Sequence, residues 1–281
     1  MIRMAMLWQD PGGRLSPLRC AALALTCLPA LWIIGQASVG LLGPRPLTAA
    51  IHLSGDWSIR LLWLTLFITP LRRLMDWPGI IAVRRILGLS AFAYAFVHLV
   101  LYVADLKWDL AKATSEIFQR IYLGIGFASL VGLGVLAATS RDSAVRRLGA
   151  EGWRALHRLV FPIAVLAVVH FFIQSKLKVS EPVLMAGLLV WLTGWRTLES
   201  RRWSHAGGLL ILSVLAALAT MLIEVAWYGM FTGVAADRIL TANFDFEFEI
   251  RMMWWVLAAG LAASALQAIR GRPLATPRNR A

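Results

Sequence analysis

Eight stretches of this chain approach the length of apolar helix that crosses a bilayer, and nothing else in the sequence restricts the fold as much. They fall near residues 18–40, 57–71, 86–104, 120–138, 156–175, 181–198, 206–230 and 252–269. A hydrocarbon core takes ~20 consecutive apolar residues to span. Within it only helices and closed barrels satisfy the backbone, and runs this long are not barrel strands. The expected fold is therefore all-α, a polytopic transmembrane helical bundle of about eight helices. The second run is the shortest, and Thr69-Pro70 is expected to end it, because proline cannot donate to the helical ladder. The 13 tryptophans fit this class, since tryptophan gathers at membrane interfaces.

Charge sets the orientation. The formal net charge is +13, but the basic residues sit in short loops between apolar runs, so lipid and not nucleic acid is the expected surrounding. With the N-terminus in the cytoplasm, 19 of the 28 basic residues fall on the cytoplasmic side. They are Arg3, Arg14 and Arg19; Arg72, Arg73, Arg84 and Arg85; Arg141, Arg146, Arg147, Arg154 and Arg158; Arg196, Arg201 and Arg202; and Arg270, Arg272, Arg278 and Arg280. The acidic segment Asp245, Glu247, Glu249 falls outside. An N-in/C-in topology follows from the positive-inside rule. The first run lacks a small-x-small cleavage site and is expected to be a span. Cys20 and Cys27 make no haem-attachment motif, so any haem is held non-covalently. No G-x-G-x-x-G follows a strand and no P-loop is present, so a nucleotide site within the chain is not expected.

Three of the five histidines lie in membrane runs. His52 and His205 fall in or beside loops and are expected to be solvated; His98, His157 and His170 belong to the third and fifth runs. Ionisable residues inside a bundle are costly and mark function by default, and imidazole is an axial ligand of haem iron. His98 lies 14 residues after Arg84 and His170 lies 12 after Arg158, or ~21 Å and ~18 Å along a helix. Both therefore reach the outer half at matching depth, as two axial ligands of one haem must. His157 sits at the cytoplasmic end. On an ideal helix it would stand ~140° around from His170, and Pro162 between them is a candidate cause of distortion. Interhelical hydrogen bonding is the alternative role for all three. Gly124, Gly126, Gly132 and Gly134 thin the fourth run, for a neighbouring helix or for a flat ring. Arg60, read as near the outer end of the second run, is a candidate partner for a haem propionate or else snorkels to the interface. Glu224, in the outer half of the seventh run, is expected to make a structural hydrogen bond, with a proton or partner site as the alternative. The reading is a b-type haem protein that carries electrons and performs no substrate chemistry of its own. The competing class is a non-redox membrane transporter or an assembly scaffold.

Several motifs then point to a family. Gly55-Asp56-Trp57-Ser58-Ile59-Arg60 leads to Thr69-Pro70-Leu71-Arg72; Arg84-Arg85-Ile86-Leu87-Gly88-Leu89 precedes His98; Trp153-Arg154-Ala155-Leu156-His157-Arg158-Leu159-Val160 precedes His170. Together they resemble the MsrQ (YedZ) family, the haem-binding membrane subunit of the protein-methionine-sulfoxide reductase system, within the ferric-reductase-like transmembrane superfamily. The resemblance covers roughly residues 15–198. It implies electrons passed from a cytoplasmic flavin reductase to a periplasmic molybdopterin subunit, and it implies association with FMN. It maps the haem and metal ligands onto His98, His157 and His170. Superfamily oxidases carry two histidines on each of two helices. Here Arg84 stands 14 residues before His98, so one haem is expected, and a second would need His157 with an unnamed ligand. The chain then divides into a cytoplasmic segment at 1–17, a six-helix haem-binding core at 18–198, and an extension at 199–281 with about two further transmembrane helices. The arginine-rich stretches 72–85 and 141–158 are either topology determinants or a dock for an acidic flavoprotein or flavin phosphate.

Overall fold

A computed structural model describes residues 7–10, 12–176, 178–201, 203, 205–247 and 249–270. Arg3, Arg202, Arg272, Arg278 and Arg280 lie outside the described residues. Among those described, the helices in chain order are α1 (Pro17–Ser38), α2 (Pro46–Leu74), α3 (Arg84–Asp105), α4 (Leu110–Gln119), α5 (Ile121–Ala138), α6 (Asp142–His157), α7 (Val160–Ser175), α8 (Ser180–Ser200), α9 (Ala206–Phe231), α10 (Ala236–Ala242) and α11 (Met252–Arg270). The molecule is a polytopic helical bundle. Each of the eight apolar runs contains a long helix, and six helical stretches are long and apolar enough to cross a membrane. The two that fall short are α2, which carries Asp56, Arg60, Arg72 and Arg73, and α8, which carries Glu181, Arg196 and Glu199. Both bury much of their length, including Leu61, Leu62 and Leu66 on α2 and Val183, Leu192 and Trp195 on α8. A helix shielded by protein is under less pressure to be apolar than one facing lipid.

Several local expectations are corrected. α2 begins at Pro46, not near residue 57, and continues through Pro70 to Leu74. A proline inside a helix forfeits one backbone bond without forcing an end when neighbouring helices support the rest. The early start was hidden because Thr48, His52, Ser54 and Asp56 interrupt the apolar pattern. His52 is accordingly helical, though exposed, and Arg60 lies at the middle of α2 instead of near its end. His157 and His170 do not share a helix: α6 ends at His157, Arg158 and Leu159 form a turn, and α7 begins at Val160. Pro162 stands in the first turn of α7, where its missing N–H costs nothing. The angular conflict between the two histidines thereby disappears.

The structure falls into two compact units, one of residues up to Thr69 with Pro78–His170, the other of Pro70–Trp77 with the residues from Phe171 onward. In the first, polar atoms pin helix to helix. Pro29 interrupts α1, and the Tyr94 hydroxyl enters the gap: it donates to the Thr26 carbonyl at 2.9 Å and accepts from the Ala30 N–H at 2.8 Å. Those two groups are four residues apart, the spacing of bonded partners in an unbroken α-helix. Ser58 on α2 donates to the Ala91 carbonyl of α3 at 2.9 Å. The α5 glycines serve different neighbours. A Cβ on Gly132 would stand 2.7 Å from Ile163 on α7, one on Gly134 3.3 Å from Phe92 on α3, and one on Gly124 3.3 Å from the Ile117 carbonyl of α4.

In the second unit, α8, α9 and α11 pack through small residues. Gly187 faces Thr220 and Gly260 faces Ser213, and a Cβ at either glycine would overlap its partner. Trp195 is fully buried and the Arg73 guanidinium lies 5.7 Å from its ring centre while pairing with Glu199. Glu224 on α9 is 2% exposed, and its carboxylate accepts from Asn243 at 3.0 Å and Arg251 at 3.2 Å. The expected structural hydrogen bond of Glu224 is thus an ion-paired network, which compensates the cost of burying a carboxylate.

Candidate metal centre

The first unit brings His98 of α3 and His170 of α7 together. Their ring centres are 6.3 Å apart and their planes stand at 88°. Both are half-buried. His98 Nδ1 lies 2.7 Å from the Ile51 carbonyl of α2, and His170 Nδ1 lies 2.8 Å from the Tyr122 carbonyl of α5. A carbonyl only accepts, so each Nδ1 carries the proton and donates it. Each Nε2 is then the unprotonated nitrogen with a lone pair to offer, and it makes no hydrogen bond among the described residues. Metal-bound histidines are ordinarily oriented by such a second hydrogen bond.

The spacing suits a single metal atom between the rings. Two imidazoles binding one ion from opposite sides, at ~2 Å per bond with each ring centre ~1 Å further back, put their centres ~6 Å apart. Among the described residues no three His, Cys, Asp or Glu side chains gather as a metal cage. Two axial nitrogens with no further protein donors is the donor set for an iron whose other four ligands come from a porphyrin. A glycine flanks each ring. A Cβ at Gly126 would stand 2.7 Å from both Nδ1 and Cε1 of His170, and one at Gly55 3.0 Å from His98 Nδ1. The residues present therefore fit haem.

The other candidates lie elsewhere. His157 stacks on Trp153, ring centres 4.0 Å apart, and its Nε2 is 3.2 Å from the Thr139 hydroxyl. It precedes α7, and His170 lies 10 residues into that helix, or ~15 Å along it. Arg84 is a charged neighbour. Arg60 sits five residues beyond Gly55 on α2, ~7.5 Å along the axis, with its guanidinium 5.1 Å from the Trp57 ring centre. His205 caps α9, where Nδ1 accepts from the Gly208 N–H at 3.1 Å. Gly55 and the two carbonyls escaped the sequence reading. The available signal was a glycine in mid-helix, which by itself reads as packing.

Comparison with known proteins now bears on the site. Residues 54–168 match the family described as ferric reductase like transmembrane component, a span that contains Gly55, His98 and Gly126 and stops two residues short of His170. The protein-methionine-sulfoxide reductase heme-binding subunit MsrQ of Azospira oryzae is 36% identical over 199 residues, 70% of this chain and 85% of that protein. The chain belongs to the MsrQ family. The MsrQ of Xanthomonas axonopodis pv. citri is 43% identical over 166 residues, covering 59% of this chain and 76% of that protein. That of Rhodospirillum rubrum is 37% identical over 190 residues, covering 67% and 91%. No solved structure matches the chain. These three relatives leave 30% or more of this chain unmatched.

Proposed function

We propose that this chain carries electrons across a bacterial inner membrane through one b-type haem held between His98 and His170. The observation that carries the reading is the pair itself: two imidazoles 6.3 Å apart, each fixed by Nδ1 to a backbone carbonyl so that Nε2 is the free donor. Membership in a family whose relatives are named heme-binding subunits supports it. The haem supplies the one-electron couple. The protein supplies the rest: α3 and α7 present the ligands, the carbonyls of α2 and α5 hold their tautomers, and the apolar helices keep water away. Arg60 at the middle of α2 is proposed to neutralise a propionate. His157, beside Arg84, is proposed to act at the arginine-rich side, toward FMN or the incoming electron, and not as a ligand of the same iron.

The relatives' names support a methionine-sulfoxide reductase as one partner, and the chain's want of a nucleotide motif supports a separate electron donor. The acceptor is a protein-methionine-sulfoxide reductase, proposed to be a periplasmic molybdopterin subunit; the donor is proposed to be a cytoplasmic flavin reductase. We assign the haem-binding core to residues 18–198, with eight crossings and both termini cytoplasmic. The deciding test is a purified sample in detergent. A Soret band that sharpens on dithionite reduction supports the reading. A colourless protein without iron overturns it in favour of a transporter or scaffold.

A further inference from the structure

Two helix pairs in the first unit repeat one construction. On α2 the Gly55 backbone flanks the His98 ring, and the carbonyl four residues earlier, on Ile51, accepts from His98 Nδ1. On α5 the Gly126 backbone flanks the His170 ring, and the carbonyl four residues earlier, on Tyr122, accepts from His170 Nδ1. In an α-helix the carbonyl at i−4 is the partner of the N–H at i. Each imidazole therefore shares an acceptor with the very glycine that it lies against. The hydrogen bond fixes where Nδ1 points, and the bare Cα fixes how the ring is turned about that direction. Any other residue intrudes. A Cβ at Gly126 would stand 2.7 Å from Nδ1 and Cε1 and 3.1 Å from Cγ of His170; at Gly55 it would stand 3.0 Å from Nδ1 and 3.1 Å from Cε1 of His98. The two rings so held lie at 88° to one another.

We propose that Gly55 with the Ile51 carbonyl, and Gly126 with the Tyr122 carbonyl, are positioning residues that hold the two axial imidazoles in crossed planes. The proposal rests on the haem reading above. Its consequence is electronic. An imidazole ligand interacts through its π system mainly with the iron d orbital perpendicular to its own plane. Parallel rings would both act on one orbital and split the pair. Crossed rings act on one each and leave the pair nearly level, which gives oxidised low-spin iron a strongly anisotropic magnetic resonance signal in place of a rhombic one.

Electron paramagnetic resonance of the oxidised full-length protein tests this, with the optical spectrum of the same sample as a check on haem. The unmutated protein should give the strongly anisotropic signal. Gly126→Ala should lose it, turning rhombic or high-spin as the His170 ring is displaced. Gly55→Ala should shift it less, its contacts being wider. Gly88→Ala is the control, since a Cβ there would meet Thr65 at an ordinary 3.6 Å, and it should keep the parent signal. A rhombic signal from the unmutated protein overturns the proposal without need of any variant. So does a Gly126→Ala protein whose signal matches the parent. A sample with no Soret band removes the haem reading itself and the proposal with it, and is told apart from the other failures by its colour.

Discussion

At the scale of single residues, the three membrane histidines divide into two kinds of environment. His98 and His170 have one nitrogen committed to a carbonyl and the other unbonded, whereas His157 is stacked on Trp153 and bonded to Thr139. With His98 and His170 as the axial ligands proposed above, replacing either by alanine should lower low-spin haem by more than about tenfold, since even the loss of an outer-shell partner costs about 10–100-fold. His157→Ala should retain the low-spin spectrum and slow reduction from the arginine-rich side. Haem-to-protein ratios and reduced spectra of the three variants separate these cases; loss of the low-spin signal in His157→Ala alone would make His157 the ligand. The pairing of His98 with His170 was legible because both count from an arginine, Arg84 at the start of α3 and Arg158 in the turn before α7. The glycine seats were not. Gly55 and Gly126 gain meaning only when it is known that α2 adjoins α3 and α5 adjoins α7, and residue spacing carries no information about which helices are neighbours.

At the scale of the element, helix interiors were easier to read than helix ends. Apolar periodicity located the cores of α1, α3, α5, α8, α9 and α11 within a few residues. It missed the first eleven residues of α2, where Thr48, His52, Ser54 and Asp56 interrupt the apolar pattern. It also missed α4, α6 and α10, which carry no membrane-length run. α6 did leave a trace, in Val145, Leu148, Trp153 and Leu156 on an otherwise charged segment, and Gly149 at φ 69° breaks it midway in a conformation that favours glycine. The break of α1 at Pro29 supplies the test at this scale. Tyr94→Phe removes the hydroxyl that serves the Thr26 carbonyl and the Ala30 N–H, leaving two backbone groups without their partner. The cost should be about 1–3 kcal/mol. Thermal unfolding in detergent should show the loss of stability with the reduced spectrum unchanged; a change in the spectrum at full stability would mean that Tyr94 acts on the haem instead.

At the scale of the whole molecule, the topology proposed above has both termini in the cytoplasm. A reporter active only in the cytoplasm should work when fused after Ala281, and activity of a periplasm-only reporter there would refute the eight-crossing topology. On α6, Arg146, Arg147 and Arg154 are exposed, on a helix in which no residue is buried. If they receive an acidic flavoprotein, haem reduction by a flavin reductase should slow as ionic strength rises from about 0.1 M to about 1 M, because the screening length falls from ~10 Å to ~3 Å. A rate indifferent to salt would leave these arginines with topology as their whole task.

The sharing of one carbonyl between a histidine and a helix backbone reaches beyond the orientation of a ring. An electron transfer is slowed by whatever atoms must move when the charge changes hands. A ligand held by its own side-chain torsions alone can swing as the iron gains or loses charge. His98 and His170 are each tied to a helix other than the one that carries them, so to swing either ring is to disturb two helices at once. The nuclear rearrangement that accompanies each electron should therefore be small, and a carrier built this way can pass electrons at little driving force in either direction.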